Sequence, residues 1–278
     1  NILSSLEVTL MKVYQVDAFT DEVFKGNPAA VCILDREVDE KTMQEIAREM
    51  NLSETAFVSK NNEDLNRDNE YGIRWFTPTT EVPLCGHATL AASEILFNQL
   101  KIPHDEIVFS SKSGDLKAYK DIEGIRLDFP SDEAKEVSEK EYSDLLKAMG
   151  ILKYENIIIG KDTKKLVVHL GCQNEVLEIN PNFEQMKSLN ISSIKGVGVT
   201  AEAEYGHDFI SRYFNPWAGV NEDPVTGSVH TLLATYWSSI LNKEELKAYQ
   251  ASKRGGEIIL RIQKNNRLAL IGKSKIIL

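Results

Sequence analysis

The sequence has few cysteines, and the ones it has do not pair. Cys32, Cys85 and Cys172 are scattered, with no C-x-x-C among them. That spacing excludes a disulfide framework and suits a reducing cytoplasm. Positive charge is scarce too: 32 Lys and Arg stand against 42 Asp and Glu, a net charge of −10. No basic patch with interleaved aromatics occurs, so nucleic acid is not expected as a partner. No apolar run approaches the ~20 residues of a membrane span. The glycine-rich dinucleotide and phosphate-loop signatures are missing. His87, His169, His207 and His230 show no H-x-x-x-H or H-x-H spacing, so no metal site is expected. His169 and His207 read as structural histidines.

What remains is the make-up of an ordinary soluble chain. With 278 residues, 42% hydrophobic and 27% charged, it is long enough for one large or two medium domains. Residues 1–10 precede Met11 and have neither the basic start nor the apolar core of a signal peptide. They are expected to be an expression remnant or a frayed end, outside the fold.

The chain is organised around Val220-Asn221-Glu222-Asp223-Pro224-Val225-Thr226-Gly227-Ser228. Pro224 has no N–H and holds the two acids in extended or turn geometry. Thr226, Gly227 and Ser228 suit a helix start ahead of the apolar run 229–241. A bare helix N-terminus presents unpaired N–H groups and about half a positive charge, enough to hold a carboxylate. An earlier stretch echoes this one. Arg74-Trp75-Phe76-Thr77-Pro78 leads through Cys85-Gly86-His87 to the apolar run 90–100, as Arg212-Tyr213-Phe214-Asn215-Pro216 leads to 229–241. The echo predicts two similar domains with two helix N-termini turned on one cleft.

Strands are expected over 12–19, 29–34, 55–58, 71–77, 107–111, 116–119 and 125–129 in the first half. In the second they fall over 154–159, 165–170, 196–200, 208–214, 257–264 and 267–275. Helices are expected over 39–50, 89–100, 142–149, 182–189, 229–241 and 244–250, and a polar turn over 61–69. The acidic segment 130–140 reads as an exposed linker. The domains are therefore 11–130 and 131–278, with the last strand, 267–278, free to join the first. Strands dominate and helices intervene irregularly, so the class is α+β.

Several groups could carry chemistry, and each has a structural reading beside it. Glu54, at a strand entrance, is either a general base raised by burial or a surface carboxylate. Cys85 is either a thiol activated at a helix start or a small buried side chain. His87 either donates a hydrogen bond as a neutral ring or merely caps the turn. Glu222 and Asp223 are either acid/base groups or ornaments of a helix N-terminus.

Taken together, Asp17-Ala18-Phe19, Gly26-Asn27-Pro28, Asn51-Leu52-Ser53-Glu54-Thr55, Phe76-Thr77-Pro78, Gly86-His87 and Asp223-Pro224-Val225-Thr226-Gly227-Ser228 resemble the PhzF-like family of phenazine-biosynthesis isomerases. The resemblance runs from Met11 onward. It implies the diaminopimelate-epimerase fold: two similar domains, each a sheet rolled around a central helix, with the site in the cleft between them. It further implies a cytoplasmic homodimeric isomerase that shuttles a proton without a cofactor on a small unsaturated or cyclic carboxylic acid. On this resemblance Glu54 is the proton carrier and His87 and Asp223 orient the substrate. Gly86, Gly227 and Ser228 line the carboxylate site. Epimerases of this fold use two thiols. Cys85 matches the first, but Asp223-Pro224 stands where the second belongs. A Cys-dependent racemase and a non-catalytic small-molecule binder are the alternatives.

Overall fold

The computed structural model describes residues 11–60 and 67–278. The leader 1–10 and most of the polar turn 61–69 lie outside the described residues. The first half runs β1 (Lys12–Ala18), β2 (Asn27–Leu34), α1 (Glu40–Met50), β3 (Glu54–Ser59), β4 (Glu70–Phe76), β5 (Glu81–Val82) and α2 (Gly86–Glu94). After a π-helical turn, Ile95–Gln99, come β6 (Glu106–Ser111), β7 (Gly114–Asp121) and β8 (Gly124–Pro130). The second half runs β9 (Ala134–Glu136), α3 (Glu139–Met149), β10 (Asn156–Gly160), β11 (Leu166–His169), α4 (Gln173–Glu178) and α5 (Phe183–Ser188). It continues with β12 (Val197–Glu202), β13 (Phe209–Asn215), β14 (Val220–Asp223), α6 (Gly227–Leu241), β15 (Glu245–Gln250), β16 (Gly256–Gln263), β17 (Arg267–Gly272) and β18 (Ser274–Ile276).

The expected α+β class and internal repeat are both present. β1–β2 pair antiparallel, β2–β3 parallel, β3–β4 antiparallel, β4–β6 parallel, and β6–β7 and β7–β8 antiparallel. The second half repeats that succession through β10–β11, β11–β12, β12–β13, β13–β15, β15–β16 and β16–β17. β8 and β17 join the halves. Beyond that joint the tails cross: β18 closes on β1, and β9 closes on β10. Each half is thus a sheet rolled around one helix, α2 or α6.

Those two helices are mostly buried, as a helix inside a rolled sheet must be. His87 to Ser93 of α2 are all buried. Thr89 and Ser93 can sit there because each hydroxyl donates back to a carbonyl of its own helix, Cys85 O at 2.6 Å and Thr89 O at 2.8 Å. In contrast, α1 is amphipathic and packs outside, with Met43 and Ala47 against Phe57 and Phe76. Asp39 caps its start by accepting from Thr42 N at 3.0 Å, and Asn51 ends it in the left-handed region at φ 50°.

Four expectations change. Residues 244–250 form strand β15 rather than a helix, because Leu246, Ala248 and Gln250 alternate inward while Glu245 and Lys247 face water. The segment 130–140 contains β9 and the start of α3 rather than being a free linker. The final strand is interrupted at Lys273, so that β18 can turn to β1. Helix α4 and the short strands β5 and β14 were not expected. Among the described residues no helix is long and apolar enough to cross a membrane.

Candidate active site

Strand alternation brings Glu54 to α2. Glu54, Ala56 and Val58 share one face of β3, and Ala56 and Val58 pack in the core cluster that holds α2. The opposite face is taken by Phe57 against α1. β2 runs parallel to β3, with Ala29 paired to Glu54, so Asn27 emerges at the same sheet edge. The turn before β2 needs a glycine. Gly26 sits at φ +64°, and a Cβ there would lie 2.1 Å from Ala18 O. The second half contributes the end of β14, Asp223, and the first turn of α6. Neither α2 nor α6 has a side-chain cap at its start. The two helix starts abut: a Cβ on Gly86 would lie 3.9 Å from Gly227 Cα.

His87 is at the centre of the side-chain network and is 6% exposed. Its Nε2 is 3.3 Å from Glu54 Oε2 and 3.4 Å from Ser53 Oγ. Its Nδ1 is 3.4 Å from Asn27 Nδ2 and 3.5 Å from Cys85 Sγ. Nε2 faces a carboxylate and Nδ1 does not, a pattern that assigns the ring proton to Nε2. Fully buried Asn27 ties the halves together, donating to Asp223 Oδ1 and to Val225 O, each at 2.9 Å. Ser53 Oγ donates to Asn27 Oδ1 at 3.2 Å.

Asp223 is held on its other side. Thr226 Oγ1 donates to Asp223 Oδ2 at 2.5 Å. Gln250 donates to Asp223 O at 2.7 Å and accepts from Thr226 N at 2.8 Å. Ser252 Oγ donates to Pro224 O at 2.8 Å. Arg254 reaches back to the first half, donating to Gly26 O and Asp17 Oδ1, each at 2.8 Å. The loop after β15 thus fastens the Asp223 turn and the Asn27 turn together.

Burial sets the protonation of these groups. It raises Glu54 above the usual carboxylate range, against hydrogen bonds from Ser53 and Cys85. It also raises Asp223, against His87 and the Thr226 hydrogen bond, while the Glu54 charge adds to the rise. It pushes His87 down to about 4, with Asp223 opposing. Burial and the nearby Glu54 charge push the Cys85 thiol well above its ordinary value.

The fold therefore brings Glu54, His87 and Asp223 into one network and sets Gly86 against Gly227. Ser228 lies exposed on the first turn of α6. Sequence reasoning missed Asn27 and Gln250 as site residues, and saw Thr226 only as part of a helix start. Asn27 left a signal in Gly-Asn-Pro, which reads as a turn alone, whereas Gln250 left none. The fold also gathers ligand atoms of Glu54, Cys85 and His87 within 4.8 Å of one another, a trio that could grip a cation. Sequence spacing does not reveal it because β3 and α2 meet only in three dimensions.

Comparison with known proteins follows this geometry. The family described as "Phenazine biosynthesis-like protein" matches residues 16–277. An uncharacterized isomerase of Halalkalibacterium halodurans is 44% identical over 268 residues, covering 96% of each chain. A phenazine biosynthesis-like domain-containing protein of Bos taurus is 43% identical over 280 residues, 96% of this chain and 97% of its own. The crystal structure of a PhzF family phenazine biosynthesis protein from Enterococcus faecalis matches with TM-score 0.86 at 40% identity, over 96% of both chains.

Proposed function

The chain belongs to the phenazine biosynthesis-like protein family, and from that premise we propose that it is a cofactor-independent isomerase of a small unsaturated or cyclic carboxylic acid. The observation that carries the reading is a largely buried carboxylate, Glu54, beside a neutral imidazole and near enough to a second carboxylate, Asp223, for its charge to raise that group.

The substrate carboxylate docks on the uncapped start of α6, at the N–H groups of Gly227 and Ser228, with Gly86 leaving room. His87 and Asp223 hold its polar substituents. Glu54 takes a proton from an activated carbon, and the negative charge spreads over the conjugated acid. Glu54 then returns the proton at another carbon of the same skeleton, so the net change is isomerisation. A carboxylate of ordinary pKa is a weak base for this step, and burial moves Glu54 in the useful direction. We take the enzyme to be a cytoplasmic homodimer, as the family resemblance implies.

The test is a thermal-shift screen against unsaturated and amino carboxylic acids, including dihydro-hydroxyanthranilate. Each hit is then incubated in heavy water. Wild-type protein is expected to wash deuterium into the hit and Glu54→Gln to bind it without exchange. A fully active Glu54→Gln protein would sink the mechanism. A second reading, a thiol-dependent epimerase, draws on the Cys85 contact to His87 and predicts exchange that alkylation abolishes.

A further inference from the structure

The strand registers align the two halves residue by residue. Thr55 pairs with Phe76 as Val197 pairs with Phe214, so Glu54 corresponds to Gly196 and Trp75 to Tyr213. Ala30 pairs with Thr55 as Leu166 pairs with Val197, so Ala29 corresponds to Lys165. The position that carries the acid in the first half thus carries no side chain in the second. Gly196 is at φ +107°, and a Cβ there would lie 2.2 Å from Tyr213 Oη. The phenol fills the space instead.

Lys165 is built onto that phenol. Its Nζ donates to Tyr213 Oη at 2.6 Å and lies 4.2 Å from the ring centroid, while Oη donates to Lys195 O. Tyr213 is the direct cross-strand partner of Asp223, which puts both side chains on one face of the sheet. Among the described residues no carboxylate lies within ion-pair distance of Lys165. Burial pushes Lys165 down to about 8, with Asp223 opposing and the charge of Lys195 adding to the fall. A half-buried ammonium beside the site with no carboxylate of its own is costly, and such groups concentrate where a ligand supplies the counter-charge.

We propose that Lys165, aimed by Tyr213, receives a second carboxylate of the substrate, so that the enzyme acts on dicarboxylic acids. This rests on the reading of α6 as the dock for the first carboxylate. Two anchored carboxylates fix the ring or chain between them and present one carbon to Glu54. At pH 7 the ammonium form prevails, so Lys165 serves as a binding group.

The experiment uses benzoate and its three dicarboxylate analogues, phthalate, isophthalate and terephthalate, titrated by calorimetry. Wild-type protein at pH 7 is expected to bind at least one dicarboxylate about tenfold or more tighter than benzoate. Lys165→Gln should bind that isomer no tighter than benzoate, with benzoate affinity unchanged, and Lys165→Arg should keep the preference. If no isomer gains over benzoate, or the gain survives in Lys165→Gln, the inference is overturned while the docking reading stands. If none of the four acids binds, both fall. If Lys165→Gln fails to fold, the wild-type pH series decides. The dicarboxylate advantage must shrink from pH 7 to pH 9 as Lys165 loses its proton, and a flat advantage overturns the inference.

Discussion

Glu54 and His87 meet at 3.3 Å, Oε2 to Nε2, and at neutral pH they are not an ion pair. Burial holds His87 uncharged down to about 4, so the contact is a neutral N–H donating to a carboxylate. The difference matters for a base. An imidazolium at that distance would pull the Glu54 pKa down and weaken it as a proton acceptor. A neutral ring orients the carboxylate and leaves its basicity to burial.

The first prediction concerns rate against pH. kcat/KM should rise as Glu54 loses its proton, with an acid limb above the ordinary carboxylate value of 4.5, because burial raises the group. No limb is expected near 6.5, because His87 does not titrate there. Glu54→Gln should remove the limb and lower kcat by about 10²–10⁴-fold, the range of a lost general base.

Stability against pH separates the histidines from the acids. His87 and His230 both titrate near 4 in the folded state against 6.5 in the unfolded chain. The unfolded chain therefore binds their protons first, and stability falls as pH drops from 6.5 towards 4. Glu54 and Asp223 work oppositely. Their folded pKa values are raised, so the folded state takes their protons first and gains on acidification just above the usual carboxylate range. His230 donates from Nδ1 to Thr226 O at 2.7 Å. Denaturant midpoints at pH 7 and pH 5 should draw closer in His230→Gln than in wild type.

Cys85 should be dispensable. Its thiol is 6% exposed and held far above its ordinary pKa, so little thiolate exists at neutral pH. Cys85→Ala is expected to keep activity within about tenfold of wild type, and both proteins are expected to resist inactivation by alkylating agents. A thousandfold loss in a steady-state assay would return weight to the thiol mechanism.

Asn27 and Gln250 should behave as positioning residues. Asn27→Ala leaves Val225 O and one Asp223 oxygen without their buried donor. A cost of about 1–3 kcal/mol is expected. That corresponds to a fall of several degrees in Tm, at roughly 2–4 °C per kcal/mol. Gln250→Ala frees the Asp223 turn and should raise KM more than it lowers kcat, whereas Gln250→Glu should keep the acceptor for Thr226 N but lose the donor to Asp223 O.

The repeat was legible because it is written as a local motif. Arg74 and Arg212 each place a guanidinium 5.1 Å from the ring of the Phe two residues on. Each also grips a carboxylate through two nitrogens, Glu81 for Arg74 and Glu222 for Arg212. Glu54, His87 and Asp223 drew notice because they stand in the motifs that carry the family resemblance, Asn51-Leu52-Ser53-Glu54-Thr55, Gly86-His87 and Asp223-Pro224. Residues 244–250 misled because Glu, Leu, Lys and Ala favour helix, while pairing with β13 and β16 imposes a strand. Asn27 showed only its turn and Gln250 showed nothing, for another reason. The partners that make Asn27 part of the site lie 196 and 198 residues away, and no local pattern encodes them.

The crossed tails make the two halves an interlock. β9, which follows the first half, seals the second roll, and β18, which follows the second, seals the first. Cutting the chain between β9 and α3, near residue 137, leaves each fragment without its own seam strand, so separately expressed pieces should meet as partners or not fold at all. β1 must wait for a strand from the far end of the chain, which makes assembly a late, long-range step and slows folding.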